Sequence, residues 1–417
     1  MMLPVPRRLP ILAAVALFAS PALAHETAPE PLPAPRPWTE AIALSAFVDA
    51  YGSVNYGFPK PQGAVNAYRA YDATNGFSLH WVGLDAAYDP DPVGGQLSLR
   101  FGPGAVTYAG AAERDAGLEM VKQAYASWRP VESLTLDLGK FDTPVGAEVA
   151  DSQANANYTR GVVYWLAQPL FHTGLRATWE ASESLTLKLL AVNGWNATVD
   201  NNIGKTFGAQ LVLAPAESLT VALGWIGGPE EADTVTVSCS ADTAYDPSTG
   251  ACGPSPGTPA GDHLVDQGGA NDPESWRHLG DVVVTWQPVE SFTLSLNGDY
   301  GVVRQRTPGP SGTEVRSRDY WGAALAARYQ LDDTWAVAGR GEYYDDVGGA
   351  TTGTAGLTLA TGTLTLEARP TANLVLRLEQ RADHAVDDAG TDPFAEKVRD
   401  SGDLQLTTTL GVVVTTN

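Results

Sequence analysis

Six times in this chain an apolar residue, a five-residue polar segment and a second apolar residue introduce a run of strict alternation. The six are Trp128–Leu134 across RPVES, Trp179–Leu185 across EASES, Leu213–Leu219 across APAES, Trp286–Phe292 across QPVES, Tyr329–Trp335 across QLDDT and Ala368–Leu374 across RPTAN. After each turn every second residue is apolar, as in Leu134, Leu136 and Leu138, or Leu374, Leu376 and Leu378. A period of two marks strands with one apolar and one wet face. With the looser DPDPVGG near 89–95 there are seven short turns, near 129–133, 180–184, 214–218, 287–291, 330–334 and 369–373 for the rest. Between them lie longer Gly-, Asn-, Asp- and Pro-rich stretches at 56–75, 104–117, 144–169, 196–203, 229–276, 304–315, 347–354 and 385–401. Seven short turns and eight long loops predict about 16 strands, the first over Ala43–Asn55 and the last over Gly402–Thr416, with both termini on the short-turn side. The expected fold is all-β: a single-domain, antiparallel, up-and-down transmembrane β-barrel. The stretch AGAAERDAGLEMVKQA has helical character that could cost one strand near 105–120.

The two faces have different chemistry. Trp128, Trp179, Trp286 and Tyr329 stand on the apolar face one residue before a turn, which predicts an aromatic girdle at one membrane interface. The other face carries Asp137, Arg176, Lys188, Gln210, Asp281, Asn297, Arg328, Arg340, Glu342, Glu367, Arg377 and Glu379. A dry core would have to pair every one of these charges, whereas a water-filled lumen holds them cheaply, so the charged members read as pore-lining.

Residues 1–24 read as a secretory signal: Arg7 and Arg8, an apolar stretch from Leu9 to Leu23, and the small-x-small site Ala22-Leu23-Ala24. Removing 24 residues from 417 leaves 393, and residues 25–42 form a Pro-rich periplasmic segment ahead of the barrel at 43–417. The formal charge of −22, with no basic stripe, argues against nucleic acid. No motif calls for a cofactor, and no Cys or His cluster has zinc spacing. Cys239 and Cys252, close together in an exported chain, predict a disulfide closing a surface loop.

The segment from Gly139 to Lys205 contains GKFDTPVGAEV (139–149), NANYTR (155–160), LFHTGLRATWE (170–180), VNGWN (192–196) and DNNIGK (200–205), and the opening strand reads AFVDAYGSVNY (46–56). This string resembles the OmpL-like family of β-barrel porins over roughly 44–215, and by pattern alone beyond. The resemblance implies an outer-membrane barrel with a pore, embedded in outer-membrane lipid and lipopolysaccharide and passing small hydrophilic solutes, with no catalytic residues to carry over. Such barrels usually end in an aromatic residue, and this chain departs from that by ending Val414-Thr415-Thr416-Asn417, although its last strand keeps the alternation.

Loop 144–169 has two readings. Glu148, Asp151, Asn155, Asn157, Tyr158 and Arg160 either line an inward-folded constriction or hold an ordinary external loop by hydrogen bonds. His172 and Arg176 face either the lumen or a packing contact eased by Gly174. Asn193 and Asp200–Asn202 read as turn formers. Loop 229–276 carries nine acids and no Lys or Arg, and reads as a solvated loop whose field enriches cations at the mouth. The leading function is passive diffusion of small hydrophilic solutes or ions. The alternatives are a surface adhesin or assembly barrel acting through loop 229–276 and, with no nucleophile motif to support it, an outer-membrane hydrolase.

Overall fold

The computed structural model describes residues 41–59, 66–88, 92–232, 234–246, 251–266, 275–309, 312–388, 393–394 and 402–416. The predicted signal segment, nearly all of the Pro-rich stretch, and parts of loops 229–276 and 385–401 lie outside them. The described residues contain twenty strands, β1 to β20 in chain order. Sixteen form one closed antiparallel barrel, in which β1 (Ile42–Asn55) to β9 (Leu219–Pro229) are followed by β14 (Trp276–Val289) to β20 (Leu404–Thr415). Within it β5 covers Leu134–Asp142, β6 Phe171–Ser182, β8 Thr206–Ala216, β17 Trp335–Asp346, β18 Leu357–Thr371 and β19 Leu374–Asp388. Closure comes from β1 pairing with β20, from Phe47↔Thr415 to Asn55↔Thr407. The helical stretch forms α1 (Pro103–Asp115) inside the loop between β3 (Val93–Phe101) and β4 (Val121–Val131), so no strand is lost.

The repeated polar segments are tighter than the spacing predicts. In RPVES the strands run on to Val131 and resume at Leu134, leaving only Glu132-Ser133 as the turn. The ladder skips from Trp128↔Leu136 to Val131↔Leu134. The same skip follows Leu213, Trp286 and Ala368, and the unpaired residues include Pro130, Pro215, Pro288 and Pro370. Proline has no N–H to give a ladder, and a bulge is where a strand tolerates it. The turn serines stitch neighbouring hairpins together. The carbonyls of Ser133, Ser184, Ser218 and Ser291 accept from the N–H of Glu180, Ala214, Gln287 and Gln330 at 2.7–2.9 Å.

At the other end, the predicted loop 304–315 is mostly strand. β15 (Phe292–Gly309) and β16 (Gly312–Gln330) stay paired to Gly309↔Gly312, with the backbone ladder unbroken from Phe292↔Tyr329. The acidic loop between β9 and β14 also carries structure: β10 (Thr234–Cys239) pairs with β13 (Gly261–Asp266), and β11 (Thr243–Asp246) with β12 (Ala251–Pro254). A Cys239–Cys252 disulfide, Cα–Cα 5.6 Å, ties one hairpin to the other.

Trp128, Trp179, Trp286 and Tyr329 all lie on the outer surface, each 43–53 % exposed, and Trp335 joins them. A second aromatic row follows eight residues along three adjacent strands, from Phe292 to Tyr300, Tyr329 to Trp321 and Trp335 to Tyr343. Eight residues at about 3.3 Å, tilted about 40°, separate the rows by about 20 Å, close to the apolar band of such barrels. Leu364 pairs with Gly339, midway between Trp335 and Tyr343, and is 71 % exposed. Leu364→Arg should therefore cost about 2–4 kcal/mol in lipid, whereas Leu376→Arg, two residues from the rim, should cost about 0–1 kcal/mol. Urea-induced unfolding in vesicles checks the contrast, and equal costs would refute the membrane register.

Candidate functional site

The segment between Asp142 and Phe171, which contains the predicted loop 144–169, turns into the barrel and crosses it. Gly146 starts the crossing at φ +84°, where a Cβ would also collide with the Gln168 amide, so the position demands glycine. A 3₁₀ turn (Ser152–Ala154) and a π turn (Val163–Ala167) shape the rest. The loop is held from many sides. Asp49 on β1 accepts from the Tyr158 hydroxyl at 2.7 Å and from Ser152 at 2.6 Å. Arg100 on β3 and Lys122 on β4 pair with Asp151 at 2.9 and 3.3 Å. Gln210 on β8 donates to the Pro144 carbonyl at 2.5 Å. Asp281 on β14 and Asn297 on β15 accept the Gly146 and Ala147 N–H at 3.3 Å. Tyr320 on β16 donates to the Ala167 carbonyl at 3.0 Å, and Asn157 donates to Thr365 on β18 at 2.8 Å.

β17 and β19 supply the densest anchors. Arg340 donates to Glu148 at 2.6 Å and to the Thr159 carbonyl at 2.7 Å, while Glu342 accepts from the Val163 N–H at 3.2 Å. Arg377 donates to the carbonyls of Ser152, Asn155 and Asn157 at 2.6–3.2 Å. Glu379 accepts from the Tyr158 N–H at 2.7 Å and from the Thr159 N–H and hydroxyl. Arg160 sits over the Tyr71 ring, and Arg381 holds its carbonyl. On the long-loop side Val162, Val163 and Ala167 pack against Ile226, Leu279, Tyr320, Tyr344, Leu357 and Leu359, an apolar layer inside the barrel.

This arrangement corrects the picture of charges standing in lumen water. Asp281, Arg340, Glu342, Arg377 and Glu379 are buried beneath the loop and bonded to it. The others pair across strands, Asp137 with Arg176 at 2.8 Å and Glu367 with Arg328 and Arg377 at 2.7 Å. Burying this many charges is tolerable because partners surround them. Lys188 faces inward beside Gln210, with no ion pair among the described residues. Five anchoring residues went unrecognised in the sequence: Asp49, Arg100, Lys122, Arg381 and Asp383, the last accepting from Arg381 at 2.8 Å and from Arg69 at 2.9 Å. Asp49, Arg381 and Asp383 keep the inward parity of their strands, a signal that alternation alone offered. Lys122 stands where the β3–β4 ladder shifts register, which breaks that signal.

His172 is fully buried. It bonds Thr143 and donates to the Gly194 carbonyl, both at 3.0 Å, so it joins two loops rather than lining a pore. Asn193 donates to Thr198, and Asp200 accepts from the Asn202 N–H, as turn formers do. Glu230, just beyond β9, accepts from the Trp195 N–H at 2.8 Å and from Thr206 at 2.6 Å. Burial pushes its carboxyl up to about 7 despite these bonds and nearby Arg277.

Glu379→Leu removes a charged acceptor from two loop amides, each such bond being worth about 1.5–3 kcal/mol. Hydrogen exchange at Tyr158 and Thr159 should accelerate by about tenfold or more, and unchanged exchange would refute the anchor. Because the folded value of Glu230 is raised, its stabilising effect is full below the ordinary carboxyl range and is lost as pH rises through about 7. Protection of the Trp195 amide, corrected for intrinsic exchange, should fall across that window and become flat in Glu230→Gln.

The fold has close company among solved structures. The outer membrane channel DcaP of Acinetobacter baumannii aligns with TM-score 0.54 at 11 % identity, over 90 % of this chain and 96 % of that one. OprB of Pseudomonas putida aligns with TM-score 0.53 at 15 % identity, over 91 % and 95 %. A loop L8 deletion mutant of OmpT, an outer membrane protein of Vibrio cholerae, aligns with TM-score 0.53 at 13 % identity, over 90 % and 98 %. These likenesses show the fold. No curated protein matches the sequence. A family profile matches residues 41–415, the whole barrel from first strand to last: the chain belongs to the family described as "Putative beta-barrel porin-2, OmpL-like".

Proposed function

We propose that this outer-membrane porin passes small hydrophilic solutes and ions by diffusion through a lumen narrowed by the segment 144–169. The observation that carries the reading is the loop's attachment to ten of the sixteen wall strands, by the bonds from Asp49 on β1 round to Glu379 on β19. Glu148, Asp151, Asn155, Asn157, Tyr158 and Arg160 then set the constriction. The reading is of a channel, not an enzyme. Export by residues 1–24, lipid and lipopolysaccharide around the two aromatic rows, and loop 229–276 at the external mouth belong to the same proposal.

Wall charges that neutralise one another give little selectivity of either sign. The acid of the external loops adds a weak cation preference, screened over about 8 Å at physiological ionic strength. Purified protein in a planar bilayer should conduct, prefer cations weakly at low salt and lose that preference as salt rises. Shortening 229–276 should reduce it further. Strong anion selectivity would refute the charge argument. Absence of any current from a folded barrel would refute the porin reading and favour an adhesive role for the disulfide-tied hairpins.

A further inference from the structure

Beneath the inward loop, on its short-turn side, lies a cavity of about 520 Å³ between loop residues 146–148 and 153–157 and the inner face of β14, β15 and β16. Thr285 adjoins Trp286 at the rim and Arg328 adjoins Tyr329, so the cavity opens toward the short turns. Its charges are already satisfied. Glu148 accepts from Arg340 at 2.6 Å and from the Gly161 N–H at 2.7 Å, and Arg328 donates to Glu367 at 2.7 Å. An ion entering here would shed water without meeting an uncompensated opposite charge.

What remains is neutral. Asn157 is 1 % exposed, and its amide nitrogen is committed to Thr365, which leaves its buried oxygen with no partner among the described residues. The buried Gln153 oxygen also has no partner among the described residues. Thr285 and Ser295 stand directly opposite each other across the β14–β15 ladder and add two hydroxyls. Val283, Ala326 and Ala156 supply apolar surface beside them. Neutral amides, hydroxyls and a small apolar wall match a molecule with many O–H groups and a C–H face.

We propose that this cavity is a binding subsite for an uncharged polyhydroxy solute of mono- or disaccharide size. Its volume falls in the range of small-molecule sites, about 300–1,000 Å³. Solute hydroxyls exchange bonds with Thr285 and Ser295, while the ring lies against Val283 and Ala326. The inference rests on the porin reading for its physiological sense, but binding is measurable without conduction.

The test is saturation-transfer NMR on the detergent-solubilised full chain with glucose and maltose, and with succinate and glycine as charged comparators. Transfer to the sugar C–H protons, and little to succinate or glycine, is the expected result. Ala326→Trp, which fills the cavity, should abolish it. The milder Thr285→Val/Ser295→Val should weaken it about tenfold, the scale of one or two lost hydrogen bonds. Heat-modifiable gel mobility verifies folding of each variant. No sugar signal, equal signals from the charged solutes, or an undiminished signal in folded Ala326→Trp overturns the subsite. In a bilayer, salt current without sided, saturable sugar block overturns the subsite and leaves the porin reading standing. Absence of current with sugar binding intact overturns the porin reading alone.

Discussion

The rest of this molecule depends on the pairing of β1 with β20. A strand edge in hydrocarbon leaves N–H and C=O groups without partners, at several kcal/mol each, so a sheet in lipid must close. Closure here runs from Phe47↔Thr415 to Asn55↔Thr407 and is finished by Ala46 and Thr416, which bond each other twice at 2.9 Å. Once the sheet is closed, inside and outside are decided by parity along every strand. Leu364, Leu378 and Leu410 are held outward, and Arg377, Glu379 and Arg381 inward, by the same alternation.

That division leaves a polar interior too wide for wall side chains to fill, and the loop between β5 and β6 occupies it. The loop's own backbone is polar, so it can lie there only if the wall supplies partners. Arg377 meets three of its carbonyls and Glu379 two of its N–H groups. Gly411 completes the fit, since any Cβ there would overlap the Tyr158 ring. The paired wall charges and the inward loop are thus one construction: each would be costly without the other.

Much of the barrel was legible because its rules are local. A period of two, a turn every two strands and proline beside the turn are written in consecutive residues, and they gave the strand number and direction. The same logic misjudged turn length, since a bulge around Pro130 or Pro288 looks in sequence like loop. It also ended β15 and β16 too early, because Gly, Pro and charged residues there resemble a loop while the ladder continues to Gly309↔Gly312. For the site, parity identified Arg340, Glu342, Arg377 and Glu379 as inward, but their roles were misread as solvent-facing.

The sequence by itself determined a closed sheet in lipid, its sixteen strands, its apolar exterior with aromatics at the short turns, and the inward parity of most of its charges. These follow from alternation and turn chemistry, which need only near neighbours. Only the tertiary structure decided that residues 144–169 cross the barrel, because the atoms that hold them lie far away in sequence: Asp49 is 103 residues from Ser152, and Glu379 is 221 from Tyr158. A loop's own residues announce its polarity. Where it docks depends on the positions of carboxylates and guanidinium groups that closure of the sheet brings to face it.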